Sequence, residues 1–308
     1  MGARCQVCEH GTLHAFRSCS GIQYLQCSAC QSIYADEGSF NSNNKGGSRE
    51  YNEEYWSFEV SAARDRSYGS SVLRAAEVFR MARVRLDRFL DISGGDGSLL
   101  DALSTLLPEM SDVFHAIEPF PPPPAFRSHH PNYKVGFIED AEGQFDGGTC
   151  IEVIEHLFPE TLKSLVRALA SRASPGALFY FNSAQPSFVI DRDPGYLDPL
   201  VRGHVASYSV HGLQVLFRRF GFAVHELPGR DWGFLAELTS KPPETLDGMF
   251  ARLWSPQAEN VHRIEACKFG PMFLAAGLES ARCYLEAASA EERTRWALSL
   301  ERRLTAAS

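Results

Sequence analysis

The stretch Phe89-Leu90-Asp91-Ile92-Ser93-Gly94-Gly95-Asp96-Gly97-Ser98-Leu99-Leu100 decides the fold. It reads as a buried strand, a glycine-rich turn and the first residues of a helix. Glycine has no Cβ and accepts φ > 0, so such a turn lets the backbone pass close to a ligand. The helix that follows offers free N–H groups and a positive dipole end to an anionic group. An acidic residue comes next, at the end of the following strand, in His115-Ala116-Ile117-Glu118. Doubly wound folds hold a ribose hydroxyl pair at that place. The pattern is not the dinucleotide G-x-G-x-x-G. It begins with an acid, as D-x-S-x-G-x-G, and Ser93 stands where a first glycine is expected. By itself the stretch also fits an ordinary tight turn.

Around it, strand and helix signals alternate. Strands are expected at 87–92, 113–117, 133–137, 147–151, 177–182, 222–226 and 233–239, and helices at 70–82, 97–107, 159–173 and 210–220. That alternation argues for an α/β fold with a doubly wound parallel sheet. Leu227 to Trp232 is too short for a helical crossover, so the last two strands should pair antiparallel. The proline run Pro121 to Pro124 forces an extended loop after Glu118. Residues 37–48, rich in Ser, Asn and Gly, read as a linker, and a dense aromatic stretch with Tyr55 and Trp56 follows. After Lys241-Pro242-Pro243 the pattern is helical only.

Five of the eight cysteines lie in the first thirty residues. Cys5-Gln6-Val7-Cys8 and Cys27-Ser28-Ala29-Cys30 form two C-x-x-C knuckles at zinc-ribbon spacing. Each puts two thiolates on one turn, and a hairpin between them assembles a closed tetrahedral Zn²⁺ site. Cys5, Cys8, Cys27 and Cys30 are the expected ligands; free thiols are the bland alternative. A closed four-cysteine site stabilises and does not catalyse. The segment is too short for an apolar core of its own, so the metal supplies its folding energy.

The second informative stretch is Phe145-Asp146-Gly147-Gly148-Thr149-Cys150-Ile151-Glu152-Val153-Ile154-Glu155-His156-Leu157. With the acid-led glycine turn and Glu118, it resembles class I S-adenosylmethionine (SAM) methyltransferases, in particular the broad small-molecule and ubiquinone-pathway group. Ala177 to Asn182 fits that family's fifth strand, and Arg202-Gly203-His204-Val205-Ala206-Ser207-Tyr208-Ser209 resembles its segment before the next helix. The resemblance covers roughly residues 70–240. It implies a Rossmann-like seven-stranded sheet whose last strand is antiparallel, with SAM as cofactor. The chain then divides into a zinc ribbon at 1–36, a linker and aromatic lid segment at 37–69, a SAM-binding domain at 70–240 and a helical extension at 241–308.

The resemblance also implies residue roles. Asp91 orients the methionine amino group, and Ser93, Gly95 and Gly97 line its approach. Glu118 accepts from both ribose hydroxyls, and Phe137 or Ile138 forms an apolar wall at the adenine. Glu152 lies beside the methyl sulfonium, and Tyr55 and Trp56 are read as a lid, against plain core packing. His156 has three readings: a general base for a substrate hydroxyl, a ligand with Glu152, Glu155 and His204 for a second divalent metal, or a residue that only orients its turn. Small-RNA 2′-O-methyltransferases carry a similar E-x-x-E-H set. His204 is read as a pocket residue, and Gln185, Phe188, Arg192 and Tyr196 as bearing on substrate choice.

The formal charge of −8 gives no support to non-specific nucleic-acid binding. No apolar run approaches the roughly 20 residues that span a bilayer, and the start has no apolar core of a signal peptide, which points to the cytoplasm. The expected function is methyl transfer to a small-molecule acceptor such as a sugar, a phenol or a biosynthetic intermediate. RNA methylation and a non-catalytic SAM-fold scaffold are the alternatives. A basic surface would favour the first and a blocked cofactor cleft the second. Homo-oligomerisation stays open.

Overall fold

A computed structural model describes residues 4–43, 53–227 and 229–307. A four-stranded sheet opens the chain with β1 (Leu13–Cys19), β2 (Ile22–Cys27) and β3 (Ile33–Ala35). Helix α1 (Glu37–Asn43) occupies the start of the expected linker, whose residues 44–48 lie outside the described residues. Helix α2 (Glu53–Arg66) runs through a π-helical turn at Ser67–Ser71 into α3 (Val72–Met81). Tyr55 and Trp56 fall in α2, but their side chains, read as a lid, lie outside the described residues.

The main sheet has seven strands. β4 (Phe89–Ile92) is central, flanked by β5 (Phe114–Glu118), then β6 (Tyr133–Val135), and on the other side by β7 (Phe145–Ile151), then β8 (Ala173–Asn182). These five run parallel. β11 (Gly233–Leu238) lies antiparallel beside β8, with β10 (Phe222–Glu226) outside it, also antiparallel to β11. The short strand β9 (Ala206–Ser207) belongs to the other sheet. All four residues of β4 are buried, the pattern of a strand covered on both faces. The expected strands and the antiparallel end are therefore present.

Helices cover both faces. On one, α3, α4 (Ser98–Leu106) and α10 (Gly270–Ala307) share a core with Phe79, Phe89 and Phe114. Phe79 meets Phe273 of α10 edge-on at 5.9 Å. On the other face lie α5 (Pro159–Arg172) and α7 (Val210–Arg218), with α6 (Pro186–Asp191) in the connection between β8 and β9. Pro159 suits the first turn of α5, where no N–H is needed. Ser209 caps α7 by accepting from the Gly212 N–H at 3.0 Å. Among the described residues no helix is long and apolar enough to cross a membrane.

Two buried ion-pair networks fasten the tail, whose α8 (Leu246–Trp254) and α9 (Ala258–Glu265) precede α10. Arg230 reaches Glu77 at 2.8 Å and the Tyr180 hydroxyl at 2.7 Å, and Ser280 of α10 donates to the same Glu77. Glu237 of β11 accepts from Arg252 at 2.5 Å and contacts His225 at 3.0 Å. Burial opposes ionisation of Glu237, but hydrogen bonds from His225 and Arg252 outweigh it and hold its carboxyl down at about 2. A depressed carboxyl stabilises the fold above its unfolded value near 4.5 and loses that contribution as pH falls towards 2. Glu237→Gln is therefore expected to flatten the stability–pH curve between about pH 5 and 2, measured by urea melts across that range. An unchanged slope would place the acid sensitivity elsewhere.

Candidate functional site

The site lies at the C-terminal edge of the parallel strands. Asp91, in β4, is 5% exposed and accepts from the Thr149 hydroxyl at 2.8 Å. Burial pushes its carboxyl up to about 7; the Glu118 and Asp96 charges add to this and the Thr149 bond opposes it. Gly94 fits because a Cβ there would stand 2.8 Å from an Asp91 carboxylate oxygen. Ser93 takes the left-handed conformation itself, with φ 54°, as do Gly95 at 58° and Gly97 at 87°. A non-glycine residue there stores roughly 1–2 kcal/mol of strain, which the surrounding turn must impose. Gly97 also has no room, since a Cβ would sit 2.5 Å from Ser128 and 2.9 Å from the Tyr133 ring.

Glu118, at the end of β5, is buried and accepts from two backbone N–H groups, Gly95 at 2.8 Å and Phe120 at 2.7 Å. Burial raises its carboxyl and these two bonds counter the rise. The Tyr133 hydroxyl donates to the Gly95 carbonyl at 2.6 Å, so β6 also pins the turn. Phe137 is 55% exposed and meets the 76% exposed Phe120 edge-on at 6.1 Å, while Ile138 is buried beneath. The proline run thus opens with an aromatic ring facing the one after β6, and the extended loop expected for it gives way to a 3-10 turn at Pro124–Phe126. Sequence reasoning missed Phe120, although it stands two residues from Glu118.

At the exit of β7, Glu152 is left-handed, with φ 55°, and exposed. Its carboxylate accepts from the Asn182 amide at the end of β8. Glu155, His156 and His204 come together, with ligand-type atoms within 4.8 Å of one another. The two imidazoles lie 4.9 Å apart, centroid to centroid. Each uses Nδ1 on a backbone carbonyl, Gly203 at 3.0 Å for His156 and Tyr196 at 2.9 Å for His204. That leaves both Nε2 atoms with a lone pair to offer. Burial lowers both imidazoles, His204 to about 4 with the neighbouring His156 adding. Glu155 is fully buried, and among the described residues neither carboxylate oxygen has a hydrogen-bond partner. Burial raises its pKa, with Glu152 adding. Of the four residues Glu152, Glu155, His156 and His204 read from the motif as a ligand set, Glu155 and the two histidines cluster, and Glu152 stands beside them on Asn182.

The N-terminal sheet forms a wall of this site. β3 pairs antiparallel with β9, in register Ile33↔Ser207 and Tyr34↔Ala206. The Tyr24 hydroxyl donates to the His204 carbonyl at 2.6 Å, and Arg17 donates to the carbonyls of Pro194 and Leu197. In the knuckles, Cys5 and Cys30 sulfurs are 3.8 Å apart and Cys8 and Cys27 sulfurs 3.7 Å. Four sulfurs at about 2.3 Å from one Zn²⁺ would be spaced by about 3.8 Å, so the donor set fits the metal. Backbone N–H groups of Val7 and Ala29 point at Cys5 and Cys27 sulfurs at 3.4 and 3.3 Å, as suits thiolates. A hollow of about 490 Å³ lies at the other end of the sheet, lined by Arg218, Phe222 and Lys241, and holds none of these residues.

A family model described as a methyltransferase domain matches residues 60–227, more than half of the chain. The chain belongs to the methyltransferase-domain family. It is a SAM-dependent methyltransferase. No curated protein sequence matches it. Solved structures similar to this methyltransferase include DesVI of Streptomyces venezuelae, at 14% identity and TM-score 0.46 over 61% of this chain and 99% of that one. CalS10 of Micromonospora echinaspora, an amino pentose methyltransferase from calicheamicin biosynthesis solved with SAM, matches at 18% identity and TM-score 0.41, over 67% and 98%. NcsB1, an O-methyltransferase of neocarzinostatin biosynthesis, matches at 18% and 0.46, and the methyltransferase spans 57% of its length while 60% of its own chain is covered.

Proposed function

We propose that this methyltransferase modifies a small-molecule acceptor held over the C-terminal ends of β7 and β8. The observation that carries the reading is the convergence of the buried Asp91, the left-handed turn and Glu118 on one edge of the sheet, next to a pair of imidazoles, the buried His204 and the exposed His156. SAM, when bound, supplies a methyl group activated by its sulfonium.

In this reading the carboxylate of Asp91 draws in the methionine ammonium. The charges raising the Asp91 carboxyl are the acids Glu118 and Asp96, so an arriving cation would restore its charged form. Glu118 exchanges part of its backbone bonding for two ribose hydroxyls. Phe137 and Phe120 flank the adenine, with Ile138 as the apolar floor, and Gly95 and Gly97 keep the turn low enough for close approach. Glu152 faces the sulfonium. His156 or His204, neutral and with a free Nε2, takes the acceptor's proton as its heteroatom bonds to the methyl carbon. The rest of catalysis is alignment and exclusion of water. The acidic chain, with the ribbon closing one side, supports a small acceptor over RNA. Cys5, Cys8, Cys27 and Cys30 would hold a structural Zn²⁺. We also propose the division into ribbon, lid segment, SAM-binding domain and helical extension.

Calorimetric titration of S-adenosylhomocysteine tests the cofactor site. Micromolar binding is expected; none, by folded zinc-loaded protein, would favour the scaffold alternative. Retention on RNA at moderate salt would favour RNA methylation.

A second reading rests on the orphaned Glu155. A buried carboxylate with no hydrogen-bond partner calls for a proton or an ion. Two imidazoles whose other nitrogens are fixed by backbone carbonyls form, with it, the usual surroundings of a divalent metal. Titration with Mn²⁺, followed by electron paramagnetic resonance, should show one site beyond the zinc. His204→Ala is expected to weaken it at least tenfold; equal binding in the variant would return both histidines to proton transfer or pocket walls.

A further inference from the structure

One cation at the edge of this site has no assigned work. Arg74 sits in the first turns of α3, directly after the π-helical turn. Its guanidinium lies 4.3 Å above the Trp232 ring and 6.0 Å from the Tyr180 ring. Nε points to the Asn182 side-chain amide oxygen, Oδ1, at 3.5 Å, and Nη1 donates to the Ser70 backbone carbonyl at 3.0 Å. Among the described residues no carboxylate pairs with it. Glu77, the nearest acid on its own helix, is taken by Arg230 and Ser280. Arg230 covers Trp232 as well, at 4.5 Å, so the indole carries two guanidinium groups and only one of them is neutralised. Asn182, which Arg74 touches, is the residue that holds Glu152.

A guanidinium has five donors in a planar fork. Two are spent here, and the unspent ones lie on the Nη atoms. Stacking on Trp232 fixes the plane of the fork, so little side-chain freedom is left to lose on binding. Burial lowers its pKa, and the charges of Glu77 and Glu152, neither of them in contact with it, offset that only in part. A fixed, half-buried, unpaired fork beside aromatic surface is what recognises a planar carboxylate.

We propose that Arg74, stacked on Trp232, is an anion subsite that binds a carboxylate of the methyl acceptor. The inference rests on the reading of this edge as the acceptor side. Asn182 then links the bound carboxylate to Glu152, and so sets how far from the acid the methylated atom stands. The acceptor class narrows to small carboxylic acids.

The test uses the full zinc-loaded chain with S-adenosylhomocysteine bound, and benzoate, benzamide and inorganic phosphate as probes, read by saturation-transfer NMR. Benzoate should bind at least tenfold more tightly than benzamide, and Arg74→Gln should abolish that preference while leaving S-adenosylhomocysteine affinity within about twofold. Arg74→Lys, which keeps the charge but not the fork, should retain only part of it. Equal binding of benzoate and benzamide to the unmodified protein would overturn the proposal even if both variants misfold. An unaltered preference in Arg74→Gln, or phosphate bound more tightly than benzoate, would overturn it too. Loss of S-adenosylhomocysteine binding by the unmodified chain would instead overturn the cofactor reading on which the proposal stands.

Discussion

Cys27→Ser is expected to strip the metal from the N-terminal ribbon and to lower the melting temperature of the whole chain by roughly 7–13 °C. Structural Zn²⁺ contributes on the order of 10 kcal/mol to small metal-dependent folds. If only a third of that reached the rest of the molecule, the shift would follow, at roughly 2–4 °C per kcal/mol for a domain of this size. The coupling path is explicit. Cys27 and Cys30 close the turn that leads into β3, β3 pairs with β9, and Ser32 and Cys30 contact the Ser209 cap of α7. A Cβ at Gly212 would come within 2.5 Å of the Ser32 hydroxyl and 3.2 Å of the Cys30 sulfur, so α7 sits directly against the knuckle. Metal content by plasma mass spectrometry and a calorimetric melt check the prediction. A variant that keeps one zinc per chain, or melts where the parent does, would show that the thiols are not the ligands.

Glu118→Ala is expected to reduce S-adenosylhomocysteine affinity by about a hundredfold or more. Hydrogen bonds to a charged acceptor contribute about 1.5–3 kcal/mol each, and two ribose hydroxyls would bond the same carboxylate. Each 1.4 kcal/mol is a factor of ten. The variant also frees the N–H groups of Gly95 and Phe120, which loosens the turn and adds to the loss. Glu118→Gln separates the two effects, because an amide oxygen still accepts from one N–H but carries no charge. Calorimetry on both variants, with circular dichroism to verify the fold, decides it; an affinity within threefold of the parent would remove Glu118 from the cofactor site.

Most of the sheet was legible because its signals are local. Apolar runs of strand length, an acid-led glycine turn and a connection too short for a crossover each carry their meaning within a dozen residues. The seven strands and the antiparallel end came out as expected. The parts that were not legible are those made by distant residues. Nothing near Ile33 announces that it will pair with Ser207. Nothing near Arg74 announces Trp232, since the pair is made only when α3 and β11 meet at the sheet edge. That Glu155 and not Glu152 packs against the histidines has a conformational cause. The left-handed Glu152 turns the chain at the strand exit and leaves its side chain outside, and the 3-10 turn at Ile154–His156 carries Glu155 inwards. A spacing rule sees both acids as equivalent, and the turn does not.

The strand pairing between Ile33 and Ser207 also has a consequence in time. A ribosome delivers the knuckles long before it delivers the strand that completes their sheet. Until some 170 residues more have emerged, β3 waits as an open edge, and open edges invite mispairing. Early metal capture would close the four thiols and hold the hairpin in register through that interval. The order of synthesis therefore favours a ribbon that binds its ion first and pairs with β9 only later.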